Sequence, residues 1–241
     1  MKAEGKNPVR ELLGSGATIE KISVADGSND AEVRALVQQA RDKGVKVDFV
    51  DRRGLDKLSE TGHHQGIIAF YTEFKYANLN DVINSEREKG KDLLFVILDE
   101  VLDPHNLGSV IRVAECAGAS GVIIPARRSA TVNETVIRTS AGATAYMPVI
   151  KVSNLNQTIE ELKKQNIWVY AADMDGSPMT KTNLQGDIAL VIGGEGTGVH
   201  SLTRKTCDGI ISIPMFGRVN SLNASVSAGI VLYEAVRQRS L

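Results

Sequence analysis

Three stretches of this sequence combine side chains able to hold a polar substrate with backbone able to lie close against a ligand. In LDEVLDPHNLGSVIR (98–112) an apolar run ends at Leu98, Pro104 sets a turn, and Asn106 is placed to cap a helix that carries Arg112 on its second turn. A guanidinium is planar and always charged, so it suits a phosphate or a developing oxyanion and cannot act as a base. The same residues also read as a capped helix with a solvent-exposed arginine. In IGGEGTG (192–198), Gly193, Gly194, Gly196 and Gly198 let backbone pass close to a ligand. Glu195 inside that loop would repel a cradled phosphate, so a ligand with a positive centre or a hydroxyl suits it better. In IPMFGRVNSLNAS (213–225) a strand ends near Pro214. Asn220, Ser221 and Asn223 then crowd the start of a helix whose apolar face is Leu222, Val226, Ile230, Leu232 and Val236. One cap would suffice for that helix.

Several other chemistries find no support. The glycine loop satisfies neither the dinucleotide pattern nor a P-loop, and no glycine fingerprint with an acid about 20 residues on follows LFVIL (94–98), which argues against a Rossmann oxidoreductase. Cys116 and Cys207 are too few and too far apart for a metal-ligand spacing or a disulfide framework, and read as buried small hydrophobes. No metal site is expected. Of His63, His64, His105 and His200, only His105 lies inside one of the three stretches, and all four read as surface or turn residues.

Elements that place these stretches together follow from the hydropathy pattern. After Leu93, apolar runs at 94–98, 121–125, 146–150, 167–172, 188–193 and 209–214 alternate with helical spacing from Asn106, near 133–141, over 154–165, after Gly198 and over 222–239. Strands apolar throughout and separated by helices predict an α/β fold with a mainly parallel sheet and helices on both faces. Ligands of such sheets bind beyond the carboxyl ends of the strands, which is where all three stretches fall. Upstream, strands at 19–25, 46–50 and 66–71 and a helix at 30–43, capped by Asn29 or Asp30, predict a smaller α/β domain. The polar stretch 74–91 reads as a linker with at most a turn or two of helix, so the expected division is a domain at 1–74, a linker at 75–90 and a domain at 91–241.

The 241 residues are 42% hydrophobic and 24% charged with a formal net charge of −1, ordinary for a globular protein and against disorder. Segments 1–75 and 91–241 each balance basic against acidic residues, so any nucleic-acid surface has to be a local patch such as Arg52 and Arg53 or Arg127 and Arg128. No apolar run approaches the roughly 20 residues of a membrane span, and the polar start lacks a secretory core, which sets a cytoplasmic expectation with no membrane partner.

In this order, LDEVLDPHNLGSVIRVAECAGASGVII (98–124), ALVIGGEGTGV (189–199) and IPMFGRVNSLNASVSAGIVLYEA (213–235) closely resemble the three motifs of the SpoU branch of the SPOUT RNA methyltransferases. The likeness runs almost continuously over 91–241. EGKNPVREL (4–12) and HHQGIIA (63–69) are similar to the ends of the small RNA-binding domain found in the subgroup that methylates a guanosine ribose in large-subunit ribosomal RNA. The resemblance implies a C-terminal trefoil knot, where pattern alone gives an unknotted doubly wound sheet. It also implies a homodimer whose interface builds the active site, S-adenosylmethionine as cofactor, and transfer of its methyl group to a ribose 2′-hydroxyl of ribosomal RNA. A transfer RNA substrate, or RNA binding without catalysis, are the alternatives. Carried over by position, Asn106, Arg112, Glu195, Ser221 and Asn223 are catalytic or substrate-side residues. Gly193, Gly194, Ile213, Met215 and Leu222 hold the cofactor, chiefly through backbone groups. Arg112 would hold a phosphate and stabilise alkoxide charge, while Glu195 either accepts the proton or orients Arg112 or a backbone amide.

Overall fold

The computed structural model describes residues 1–241 apart from Gly16, Asn29, Glu73, Thr197, Asn220 and Leu241. It divides into two compact units, Met1–Lys75 and Tyr76–Leu241. The first unit runs β1 (Lys2–Glu4), α1 (Lys6–Gly14), β2 (Thr18–Ala25), α2 (Ala31–Asp42), β3 (Lys46–Val50), α3 (Arg52–Leu58) and β4 (Ile67–Thr72). The sheet order is β1-β4-β2-β3, with β2 and β3 parallel and β4 antiparallel to β1 and β2. Val33, Leu36, Val37 and Ala40 recur at helical spacing on α2 and pack with Ile22, Val24, Ile67 and Ala69 of the sheet. The Asp30 side chain caps α2 by accepting from the amides of Glu32 and Val33; Asn29, the other candidate cap, lies outside the described residues.

β1, α1 and α3 escape the periodicity reading because they are short. β1 is held by pairing to β4 and by the Glu4 carboxylate, which accepts from Ser59 Oγ at 2.6 Å, the Glu60 amide at 2.6 Å, the Thr61 amide at 3.2 Å and Thr61 Oγ1. Those donors hold its pKa down at about 2.

The second unit starts earlier than composition suggests. Within 75–90, expected to be a linker, α4 (Leu79–Glu88) is a regular ten-residue helix capped by Asn78, with Val82 and Ile83 buried in the core formed with β5 (Leu94–Asp99) and its neighbours. Ala77 donates to the Val149 carbonyl at 2.8 Å, and the Tyr76 hydroxyl accepts from the Val132 amide at 3.0 Å. Three apolar residues at helical spacing, Leu79, Val82 and Ile83, were enough to dock a helix whose remaining residues are all polar, which is why composition alone reads the segment as linker.

After β5 come α5 (Pro104–Cys116), β6 (Gly121–Pro125), α6 (Glu134–Thr139), β7 (Val149–Val152), α7 (Leu155–Lys164), β8 (Trp168–Pro178), β9 (Ile188–Gly193), α8 (Ser201–Thr206), β10 (Gly209–Ser212) and α9 (Ala224–Arg239). The six strands β5 to β10 form one parallel sheet in the order β10-β8-β9-β5-β6-β7. β7 starts three residues later than the apolar run 146–150, because Ala143–Ala145 form a 3-10 turn and Pro148 has no amide to donate. Alternation splits β5 between two cores: Phe95 and Ile97 pack with α4 and α7, while Leu94, Val96 and Leu98 are buried on the face covered by α5 and α9. No described helix is long and apolar enough to cross a membrane.

Candidate active site

The three stretches meet where the carboxyl ends of β5, β9 and β10 lie together. α5 begins one turn earlier than the sequence reading places it. Pro104 takes the first helical position and Asp103 caps, its carboxylate accepting from the His105 amide at 3.0 Å. Asn106 therefore is not a cap. It lies inside the first turn, buried, with its side chain available for something else.

That something is a closed triangle of polar groups. Asn106 Nδ2 donates to Glu195 Oε1 at 3.0 Å, Asn223 Nδ2 donates to the same oxygen at 2.7 Å, and Asn223 Nδ2 also donates to Asn106 Oδ1 at 2.9 Å. Orientation of both amides follows from the helix they adjoin. Asn223 caps α9, so its Oδ1 accepts from the amides of Ser225 at 2.9 Å and Val226 at 3.3 Å. Its NH₂ must then face Asn106 and Glu195, which in turn fixes the Asn106 oxygen toward Asn223 and its nitrogen toward Glu195. The residue is thus a cap and a site residue at once. Glu195 Oε2 has no donor among the described residues. Ser221 is exposed at the edge of the same cleft, whereas Asn220 lies outside the described residues.

Glycines 193 and 194 are required by close approach. A Cβ on Gly193 would sit 2.1 Å from the Gly198 carbonyl carbon, and one on Gly194 2.3 Å from the Glu100 carbonyl oxygen. The loop is tied to the end of β5 by the Gly194 amide donating to the Asp99 carbonyl at 2.8 Å. His200 completes the tie: its backbone amide donates to Asp99 Oδ2 at 2.9 Å, its Nδ1 lies 3.1 Å from Asp99 Oδ1, and its Nε2 lies 3.1 Å from Glu100 Oε2. Nδ1 is buried and off hydrogen-bond alignment with Asp99, so that contact is one of charge and packing. Sequence reasoning set His200 aside as a turn residue. Its signal was position, directly after the glycine loop.

The glycine loop, Ile213, Met215 and Ser221–Asn223, and the middle of β8 enclose a cleft of about 640 Å³, within the range of small-molecule sites. Gly193, Gly194, Ile213, Met215 and Leu222 all line it, with Glu195, Ser221 and Asn223 at its mouth. A wall that sequence reading missed is Ala172–Asp175, where Asp173 and Asp175 face Arg204 at 3.3 and 3.7 Å. Against Asp173, Asp175 and Glu195 the lining sets one arginine, an acid excess that suits a cationic ligand.

Arg112 is not in this cleft. Six residues beyond Asn106, it is turned about 120° away around α5, is exposed, and has no partner among the described residues. Nor does it pair with Glu195, whose partners are the two asparagines. The cysteines also depart from expectation: Cys116 is exposed, and Cys207 is half-buried with Sγ donating to the Thr203 carbonyl at 3.1 Å. Burial, aided by Asp208, pushes the Cys207 thiol up to about 12. Among the described residues no group of three His, Cys, Asp or Glu side chains is placed to hold a metal ion.

Comparison with known proteins meets this geometry. The SpoU rRNA Methylase family model matches residues 93–233, and a model for RNA 2'-O ribose methyltransferase substrate binding matches residues 2–77. A putative TrmH family tRNA/rRNA methyltransferase, YacO, of Bacillus subtilis is 40% identical over 98% of this chain and 95% of its own length; one from Staphylococcus haemolyticus is 40% identical over 98% and 94%. The SpoU methyltransferase AviRb from Streptomyces viridochromogenes, in complex with the cofactor AdoMet, superposes with a TM-score of 0.62 over 99% of this chain and 90% of its own, at 24% identity. The A. aeolicus TrmH/SpoU tRNA modifying enzyme does so with a TM-score of 0.58 over 66% and 85%, at 27% identity. With the family's model spanning all three stretches that build the cleft, and relatives at this identity spanning both units, the chain belongs to the SpoU rRNA methylase family of RNA 2′-O-ribose methyltransferases.

Proposed function

We propose that this cleft binds S-adenosylmethionine and directs its methyl group to the ribose 2′-hydroxyl of a guanosine in large-subunit ribosomal RNA. The observation that carries the reading is the Asn106–Glu195–Asn223 triangle, drawn from three separate stretches, with Glu195 and Asn223 lining an acid-rich cleft and Asn106 buried behind them. When bound, the cofactor supplies an electrophilic methyl group, so the protein's task is placement and the handling of one proton. Gly193, Gly194, Ile213, Met215 and Leu222 hold the cofactor, and the excess of carboxylates favours its positive charge. Two amides fix Glu195 Oε1, leaving Oε2 to accept a hydrogen bond, and then the proton, from the 2′-hydroxyl. Ser221 holds the ribose, while the amides of Asn106 and Asn223, engaged with Glu195 and with each other, keep that carboxylate in place. We read the passage of 213–223 beside the glycine loop as the family's trefoil knot.

The Arg112 guanidinium, exposed and turned out of its own cleft, serves a second copy of the chain in a homodimer. Val226 and Tyr233, seven residues apart and each about half exposed, lie on one side of α9, which packs against the helix that carries Arg112, and give the apolar patch that a self-complementary interface requires. There Arg112 holds a substrate phosphate and stabilises charge on the 2′-oxygen.

Two experiments test this. Methyl-labelled S-adenosylmethionine is supplied with unmodified transcripts of large-subunit ribosomal RNA and of transfer RNA, and alkali-resistant linkages are mapped. Label at a ribosomal guanosine is expected; label only in transfer RNA overturns the ribosomal assignment, and label on a base overturns ribose chemistry. Arg112→Ala and Glu195→Ala chains, each inactive alone, are then mixed and allowed to exchange. If Arg112 acts across the interface, random mixing puts about half the chains in heterodimers with one intact site of two, restoring about a quarter of wild-type activity. Mixed dimers that remain inactive place Arg112 with its own chain's cleft.

A further inference from the structure

We propose that α3 and the adjoining edge strand β3 form the face of the first unit that grips RNA, with Arg52, Arg53 and Lys57 on phosphates and Phe49 stacked on a base. The inference rests on RNA being the substrate and adds where the first unit holds it.

It starts from which cations of this unit are already engaged. Lys2, Lys6 and Arg10 pair with Glu60, Asp30 and Glu32; Lys21 and Lys46 share Asp48; Lys43 donates to the Leu13 carbonyl. Arg34 is engaged too, and Arg41 lies over the Phe49 ring at 5.8 Å. Arg52, Arg53 and Lys57 are exposed on one seven-residue helix and have no partner among the described residues. Asp51 and Asp56 lower the surplus over 51–57 to one positive charge but pair with none of the three cations: Asp51 is the cap of α3, its carboxylate accepting from the Gly54 amide at 2.8 Å, and Asp56 lies 2.8 Å from His64 Nε2. Among the described residues of this unit, α3 therefore carries three of the four basic side chains that have no partner, Lys75 being the fourth.

A stacking group lies on the edge strand that leads into α3: Phe49, in register with Val24 of the α2 core, presents its ring on the α2 side of the sheet. β3 is an edge strand, and Phe49 on it is 51% exposed, unusual for a phenylalanine one residue from the end of a strand. The chain passes from Phe49 to Arg52 in three residues, within about 10 Å even if fully extended. An exposed ring backed by a guanidinium, beside unpaired cations, matches how unstacked RNA bases and their phosphates are held. A protein partner of opposite charge would use the cations and leave the ring without a role.

The test uses the full chain with the ribosomal and transfer RNA transcripts named above. Arg52→Ala/Arg53→Ala/Lys57→Ala is expected to weaken filter-measured RNA binding about tenfold or more. It should also flatten the plot of log affinity against log salt by about 2, since each phosphate contact contributes about 0.7–0.9 to that slope. KM for RNA rises accordingly, with kcat at saturating RNA, S-adenosylmethionine affinity and melting temperature retained. Phe49→Ala is expected to weaken RNA binding about fivefold or more and leave the salt slope unchanged. Lys46→Ala, at the other end of β3 and already paired, keeps wild-type values. Wild-type salt slope and affinity in the triple variant overturn this face, as does an equal loss in Lys46→Ala. A wild-type chain that neither binds nor methylates either transcript overturns the RNA reading itself, and this inference with it.

Discussion

Asn223→Asp separates the two duties of one side chain. In the native chain Asn223 Oδ1 caps α9 while its Nδ2 donates to Glu195 and Asn106. Aspartate keeps the capping oxygen and adds a charge that a helix N-terminus favours, so folding stability should stay within about 1 kcal/mol of wild type. It also puts a carboxylate oxygen where a donor stood 2.7 Å from Glu195 Oε1. Two unit charges at that distance repel by about 1.5 kcal/mol in water and about 6 kcal/mol at an effective dielectric of 20. Glu195 must swing away, and with it the acceptor proposed for the 2′-hydroxyl. Turnover should fall on the order of 100-fold or more, equivalent to about 2.7 kcal/mol in the barrier. Asn223→Ala does the reverse for stability: it loses the cap, about 0.5–2 kcal/mol, and lowers the melting temperature by several degrees. Thermal melts by circular dichroism, cofactor calorimetry and single-turnover methyl transfer on both variants separate the effects. If Asn223→Asp turns over within a few-fold of wild type, the triangle does not position Glu195; if it melts as low as Asn223→Ala, the capping argument fails.

Three further outcomes follow from contacts already described. His200→Ala removes the imidazole's contacts with Asp99 and Glu100 while the backbone ties of residue 200 and Gly194 to Asp99 persist, so calorimetry should show S-adenosylmethionine binding weakened about tenfold with kcat at saturating cofactor changed less, and His200→Gln should recover part of it; an unchanged affinity in His200→Ala returns the residue to a surface role. Cys207, its thiol pushed up to about 12, should resist a maleimide at pH 8 until denaturant is added, and rapid modification of Cys207 in the native chain, read by peptide mass, would contradict its burial. The Glu4 carboxylate is depressed from 4.5 to about 2, so its contribution is complete above pH 4.5 and disappears as the pH falls from there toward 2; the melting-temperature gap between wild type and Glu4→Gln should close across that window, and a gap independent of pH argues against the ionised nest.

What could be read from the sequence and what could not divides along a physical line. Apolar strands such as 94–98 and 188–193 were legible because burial on both sheet faces forces an unbroken hydrophobic run, and that run survives in the sequence whatever packs on it. α4 was not legible, because Leu79, Val82 and Ile83 are all that its core-facing side needs and the remaining residues look like linker. The site shows the same contrast at finer scale. Its residues were named from three motifs, but a motif fixes chain position and not the direction of a side chain. Direction depends on where the helix starts: Pro104 and Asp103 begin α5 early, so Asn106 becomes an inward residue of the first turn instead of a cap, and Arg112 is turned to the outside. Of the roles open to Glu195 in the sequence, orienting Arg112 within the same chain thereby drops out, and an amide–carboxylate triangle stands in its place. His200 and the Asp173–Arg204 wall were missed for a related reason, since their partners lie on strands far away in sequence and no local spacing records them. With a charged motif residue facing outward and apolar side chains on a neighbouring helix also exposed, we assign the missing half of the geometry to a second molecule, as proposed. That is why the Arg112 and Glu195 variants are informative only when mixed.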